Sequence, residues 1–158
     1  RKLLTEQDLN KIDLNEVFEE FCAQIERVKG RGINITHLDS HHHVHTFEFL
    51  KPVIEKILRK YNLPIRGGLG YELDYNKVVP FEGAFYGEDV SVKSLEKIIN
   101  KEYELIEVMA HPAYVDSFLL KNSSYNLKRL EELEVLTSRE LKDLLKENNI
   151  EVINYKDI

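Results

Sequence analysis

The sequence predicts an α/β fold in which parallel strands alternate with helices, as a sheet or barrel with the helices outside. Three observations carry that prediction. Stretches of helical apolar periodicity alternate along the chain with short β-branched runs. The 158 residues suit one domain with a real core, residues 1–158. Between the elements there is no internal repeat, low-complexity tract or linker.

The elements follow in order. Asp13 and Glu16 form a capping pair, and Leu14, Val17, Phe18, Phe21, Ile25 and Val28 recur at helical spacing until Gly30. Ile33 to about Asp39 is a short apolar, β-branched run and reads as a strand. A second helix spans about Phe47 to Tyr61, with Leu50, Val53, Ile54, Ile57 and Leu58 on one side. Pro64 to Gly67 is a strand running into a glycine-rich loop, and the segment from Gly67 to Asp89 reads as irregular. A third helix covers Val92 to Asn100, and Tyr103 to Met109 is a strand ending at His111-Pro112. Helices over Leu127–Leu136 and Arg139–Glu147 follow, the latter opened by Thr137 and Glu140 in capping-box spacing. Glu151 to Tyr155 closes the chain as a strand.

Composition excludes several classes of partner. Against 28 acidic side chains stand 22 basic ones, and no basic stripe gathers that could neutralise a run of phosphates. Nucleic acid is therefore not an expected partner. No apolar run approaches the roughly 18 residues of a membrane span, and the start Arg1–Thr5 lacks the apolar core of a signal peptide. The expected location is the cytoplasm, without a membrane partner. Cys22 is the lone cysteine, so there is no disulfide framework, and its apolar helical position makes it a small core residue.

Chemistry concentrates in Ile35-Thr36-His37-Leu38-Asp39-Ser40-His41-His42-His43-Val44-His45, where five of the six histidines fall within nine residues. In parallel α/β folds, binding and catalytic groups gather where strands end. This cluster lies at one strand end and His111 at another. If the strand persists through the cluster, alternation places His37, Asp39, His41 and His43 on one side and Leu38, Ser40 and His42 on the other. Neutral imidazole and carboxylate together form a ligand set for a divalent metal, or a ligand with its tautomer-fixing neighbour. An internal run interrupted by Val44 does not read as a purification tag.

Other positions carry two readings each. Glu107 lies on the same alternating side as His111 and supports it or is a structural charge within the sheet. Arg66, before a flexible loop, binds an anionic or hydroxylated ligand or pairs with a structural carboxylate. Tyr71, Tyr75, Phe81, Phe85 and Tyr86 could stack on a sugar face, although packing within the loop is the commoner role.

The stretch from Thr36 to His45, the later Glu107-Val108-Met109-Ala110-His111-Pro112-Ala113-Tyr114 and Asp116 resemble the YdjC family of carbohydrate deacetylases, which includes chito-oligosaccharide deacetylases. Phe85-Tyr86-Gly87 and the ending Ile150 to Tyr155 are similar to the same family's pattern. The resemblance spans nearly the whole chain. It implies an irregular (β/α) TIM-like barrel and hydrolysis of N-acetyl groups from amino sugars or N-acetylated oligosaccharides. It also implies a divalent metal, with magnesium favoured and zinc the alternative. By the family pattern His41 is a metal ligand and His111 is the general acid. Asp39 joins the catalytic set close to the metal, and Arg66 contacts substrate. Such a metal polarises the amide carbonyl and acidifies bound water, while an imidazolium protonates the departing amine.

The family's Asp-Asp motif, which carries a metal ligand and the general base, and its Gly-x-His motif, another ligand, do not occur in this sequence. The chain corresponds to the later part of the family's length. Taken alone it is expected to bind metal weakly or not at all and to lack deacetylase activity. The exposed sheet edges of an open barrel would suit a homo-oligomer or association with the remaining N-terminal part. Two alternatives stand beside the deacetylase: a different metal-dependent hydrolase on a related barrel, and a non-catalytic metal- or sugar-binding remnant.

Overall fold

The computed structural model describes residues 11–158; the reading made on Arg1–Thr5 lies outside the described residues. Two compact units divide the chain, one running to Val79 with Ile158 and the other from Pro80 to Asp157. Both combine helices with short parallel strand pairs, as an α/β fold requires.

In the first unit, α1 (Leu14–Lys29) starts where the Asp13 carboxylate accepts the Asn15 N–H at 2.8 Å. Its apolar stripe packs on α2 (Lys51–Tyr61), joining Cys22 and Ile25 to Val53 and Ile57 in one buried cluster. Cys22 is thus a core residue. The second helix begins at Lys51, later than the expected Phe47, because a separate 3-10 turn occupies Glu48–Leu50. Pro52 then lies in the first turn of α2, where its missing N–H costs no hydrogen bond. At the other end Asn62 adopts the left-handed conformation, with φ of 51°, and its N–H returns to the Leu58 carbonyl.

The strand expected over Ile33–Asp39 contracts to a single parallel bridge between Leu38 and Ile65. The Leu38 N–H donates to Pro64 O at 2.8 Å and the Arg66 N–H to Leu38 O at 3.0 Å. Its apolar first residue, Ile33, is exposed. Beside it, β1 (Ile65–Arg66) pairs in parallel with β2 (Val78–Val79), Ile65 opposite Val78 and Arg66 opposite Val79. Leu50, Ile54, Leu58 and Ile65 form the core beneath them.

In the second unit, β3 (Phe81–Glu82) pairs in parallel with β4 (Glu107–Val108). The Pro80 carbonyl accepts the Glu107 N–H at 2.8 Å, so the proline takes part in the ladder through the only backbone group it can offer. Four helices complete this unit: α3 (Val92–Ile99), α4 (Ser117–Asn122), α5 (Leu127–Thr137) and α6 (Arg139–Glu147). Phe85, Leu95, Ile98 and Leu141 form its core.

Several expectations need correction. The stretch from Gly67 to Asp89 contains β2, β3 and a 3-10 turn at Gly87–Asp89, hidden by its glycines and proline. The Tyr103–Met109 strand shortens to β4. Helix α4, capped by Asp116 accepting the Leu119 N–H, was not expected at all. Ser138, not Thr137, caps α6 by accepting the Leu141 N–H at 3.1 Å; Thr137 instead donates to Leu133 O inside α5. No strand forms over Glu151–Tyr155, where Val152 is exposed and Tyr155 donates to Glu107 at 2.5 Å. Among the described residues no helix is long and apolar enough to cross a membrane.

Candidate functional site

The ladder that places Leu38 ends within two residues, and the histidine run then turns. Ser40 is extended, its carbonyl accepts the His43 N–H at 3.0 Å, and a 3-10 turn occupies His41–Thr46. His42 and His43 take left-handed backbone angles, with φ of 54° and 55°. Alternation therefore stops at Ser40, and the expected common side for His37, Asp39, His41 and His43 does not exist. Gly70 approaches this turn closely: its N–H donates to Thr46 O at 3.0 Å, and a Cβ there would meet the same oxygen at 3.0 Å.

Four of the five imidazoles separate by environment. His45 is 2% exposed. Its Nε2 donates to the Arg66 carbonyl at 3.3 Å, since a carbonyl can only accept, which leaves Nδ1 to accept the Ser40 hydroxyl at 2.6 Å. Ser40 Oγ in turn accepts the His45 backbone N–H at 2.9 Å. Burial holds the His45 pKa below its usual value, so this ring is neutral and structural, and both nitrogens are committed to the protein. His37 pairs through Nδ1 with Thr36 Oγ1 at 2.9 Å. His41 and His42 are exposed, their rings 4.0 Å apart.

Asp39 and Arg66 come together. Arg66 donates from its guanidinium to Asp39 at 2.9 Å, with the arginine side chain 14% and the aspartate 45% exposed. Of the two readings of Arg66, the structure realises the carboxylate pair. Asp39, Ser40, His41 and His45 line, with Gln24, a cavity of about 420 Å³ whose apolar lining includes Leu38, Ile54 and Ile65. A divalent metal would find two donors here, His41 and Asp39, the latter already serving Arg66. Among the described residues no group of three or more histidine, cysteine, aspartate or glutamate side chains is placed to hold a metal ion. The described residues therefore do not complete a metal shell.

His111, in the second unit, stands over a buried carboxylate. Glu132, on α5, is fully buried and accepts the His111 backbone N–H through Oε2 and the Tyr125 hydroxyl through Oε1. His111 Nδ1 lies 3.9 Å from Oε1. Tyr125 Oη also accepts the Gly87 N–H at 3.2 Å, and burial together with the Glu132 contact raises its pKa to about 12. Tyr86 stacks on Tyr125 with ring centres 4.3 Å apart and meets the His111 ring edge-on at 5.7 Å. Arg129 donates to the His111 carbonyl at 3.2 Å. Phe85-Tyr86-Gly87 thus divides its work: Phe85 fills the core, while Tyr86 and Gly87 meet the His111 cluster. Glu107, with its two readings as a support of His111 or a structural charge, accepts the Tyr155 hydroxyl. The sequence reading missed Glu132 and Tyr125; no signal marked either, Glu132 being one of three glutamates between residues 131 and 134.

Comparison with known proteins shows what the chain is similar to. The family model described as YdjC-like protein matches residues 2–147. A carbohydrate deacetylase of Brevibacillus brevis is 34% identical over 90% of this chain and 61% of its own length. One from Vibrio campbellii is 39% identical over 90% of this chain and 58% of its length. Carbohydrate deacetylase 1 of Listeria innocua is 36% identical over 97% of this chain and 64% of its own. The chain therefore spans about three fifths of the length of the curated relatives it matches. A crystal structure from Enterococcus faecalis, provisionally named a cellobiose-phosphate cleavage protein, superimposes with a TM-score of 0.83 at 32% identity, covering 95% of this chain and 63% of that one.

Proposed function

Because this chain belongs to the YdjC-like protein family, we propose that it supplies part of the active site of a metal-dependent carbohydrate deacetylase. The reaction is hydrolysis of the N-acetyl group of an amino sugar or chito-oligosaccharide. The observation that supports this reading most is His111, one third exposed beside β4 with the buried Glu132 behind it. That is a setting suited to proton donation. In the step assigned to it, the amide C–N bond breaks and the departing amine takes its proton from the His111 imidazolium.

The remaining roles follow the family pattern. His41 is the metal ligand contributed by this chain, with magnesium favoured and zinc the alternative; the rest of the shell belongs to family length that this chain does not span. Asp39 acts near the metal, oriented by Arg66, and Arg66 reaches substrate only by sharing its guanidinium with that pair. Residues 1–158 are then the later part of a single irregular (β/α) TIM-like barrel in the cytoplasm, completed by the remaining family length or by a second copy. The Enterococcus faecalis neighbour's name supports a second reading, a hydrolase of phosphorylated disaccharides on the same barrel.

Acetate release from N-acetylated chito-oligosaccharides tests the proposal. The chain alone is expected to release none. A chimera completed with the unmatched segment of the Listeria innocua relative is expected to turn over, to stop when chelator is added, and to lose about 100- to 10,000-fold in rate on His111→Ala. Turnover by the chain alone would show that its own residues suffice. A folded chimera that cleaves a phosphorylated disaccharide and releases no acetate would favour the second reading, and one inert on both would favour a binding remnant.

A further inference from the structure

We propose that Glu132 is the positioning residue of His111, fixing its main chain and biasing its ring toward a proton on Nδ1, so that Nε2 is the nitrogen that gains and releases a proton. The proposal rests on the reading of His111 as the general acid only for its catalytic meaning; the physical coupling stands separately.

A fully buried glutamate in a helix is costly unless its oxygens are occupied. Both are. Oε2 takes the His111 N–H, and Oε1 takes the Tyr125 hydroxyl proton, which is directed there because Tyr125 Oη already accepts the Gly87 N–H. A carboxylate whose two oxygens both receive donors has the pattern of the ionised form. Its negative charge lies 3.9 Å from His111 Nδ1, too long for a hydrogen bond and within range of strong charge coupling. Around the imidazole, Tyr86 and Tyr125 present their ring edges and faces, while the Arg129 guanidinium, bonded to the His111 and Tyr125 carbonyls, supplies an opposing positive charge. Glu132 is the anionic group among these neighbours. Two acceptor oxygens are required at this place, which a carboxylate supplies and an amide does not, and the charge that comes with them lies beside the ring.

Nitrogen-15 NMR of the histidine rings in this 158-residue chain tests the idea, with the His111 signals assigned by their loss in His111→Gln. Neutral His111 is expected as the Nδ1–H tautomer. In Glu132→Gln the His111 pKa should fall by about one unit, because the neighbouring negative charge that favours the imidazolium is gone. An Nε2–H tautomer in the parent chain, or an unchanged pKa in folded Glu132→Gln, would overturn the proposal. The tautomer measurement needs no variant of Glu132 and so decides the matter even where that variant does not fold. Neither readout depends on acetate release: failure of the deacetylase reading leaves the coupling intact, and failure of the coupling leaves His111 an acid without this support.

Discussion

Ser40 holds His45 from two sides, donating to its ring and accepting from its backbone. Ser40→Ala removes both bonds to the buried His45 and should destabilise the chain by about 1–3 kcal/mol in urea unfolding; a variant within about 0.5 kcal/mol of the parent would count against that geometry. The same ring gives stability a pH dependence. Its folded pKa lies below the ordinary value of 6.5 because burial disfavours the imidazolium. Unfolded chain therefore takes up this proton at a higher pH than folded chain does. The contribution is complete above about pH 6.5 and declines as pH falls below it toward the folded value, a slope that His45→Gln should flatten. Arg66 and Asp39 behave differently: half-exposed at the aspartate, their pair adds at most about 1 kcal/mol and weakens with salt. Asp39 and Arg66, singled out separately in the sequence, meet in one ion pair, which was legible there only as one of two readings of Arg66. Glu132 was out of reach, because a glutamate beside Glu131 and two residues before Glu134 on a charged helix looks like any solvated one until its partners are placed.

Helices were legible because 3.6-residue periodicity is a local signal: α1, α2, α3, α5 and α6 all form within a few residues of where apolar spacing put them. Strands of two residues carry no such signal. Their existence depends on partners distant in sequence, so Ile33–Asp39 was overread from its β-branched content and β2 and β3 were missed around Pro80. The α5–α6 junction shows how one position decides a cap. Ser138 has the extended backbone that lets its hydroxyl accept from Leu141, whereas Thr137 is still helical and spends its hydroxyl on Leu133. Ser138→Ala should therefore cost about 1 kcal/mol in thermal or urea unfolding, while Thr137→Ala should be near neutral, since alanine is the better helix former. Equal losses in the two variants would contradict the assigned cap.

For the whole molecule, the net charge of −6 opposes association, and exposed apolar surface favours it. Tyr114 and Phe118 are 86% and 71% exposed, and Leu120, Leu127 and Val152 are also open to solvent. Side chains of this kind, exposed together with short strands, favour self-association. Sedimentation velocity across a concentration series should show species of at least twice the monomer mass, more so at high salt where like charges are screened. A single monomeric boundary at every concentration and salt would remove the homo-oligomer from the proposal. The α/β class was legible at this scale from the alternation of elements, since that order belongs to the chain as a whole.

Mutational drift meets an uneven landscape across His41 to His45. The left-handed backbone at His42 and His43 accepts asparagine or glycine as readily as histidine and resists valine or isoleucine. Position 45 is fixed by a different demand, a side chain that can donate to one carbonyl and accept one hydroxyl in the dark of the core. Four histidines within five residues thus have unlike tolerances. For the fold, the imidazole least able to change is the one farthest from solvent, and a lineage could rewrite His42 and His43 while leaving the last histidine untouched.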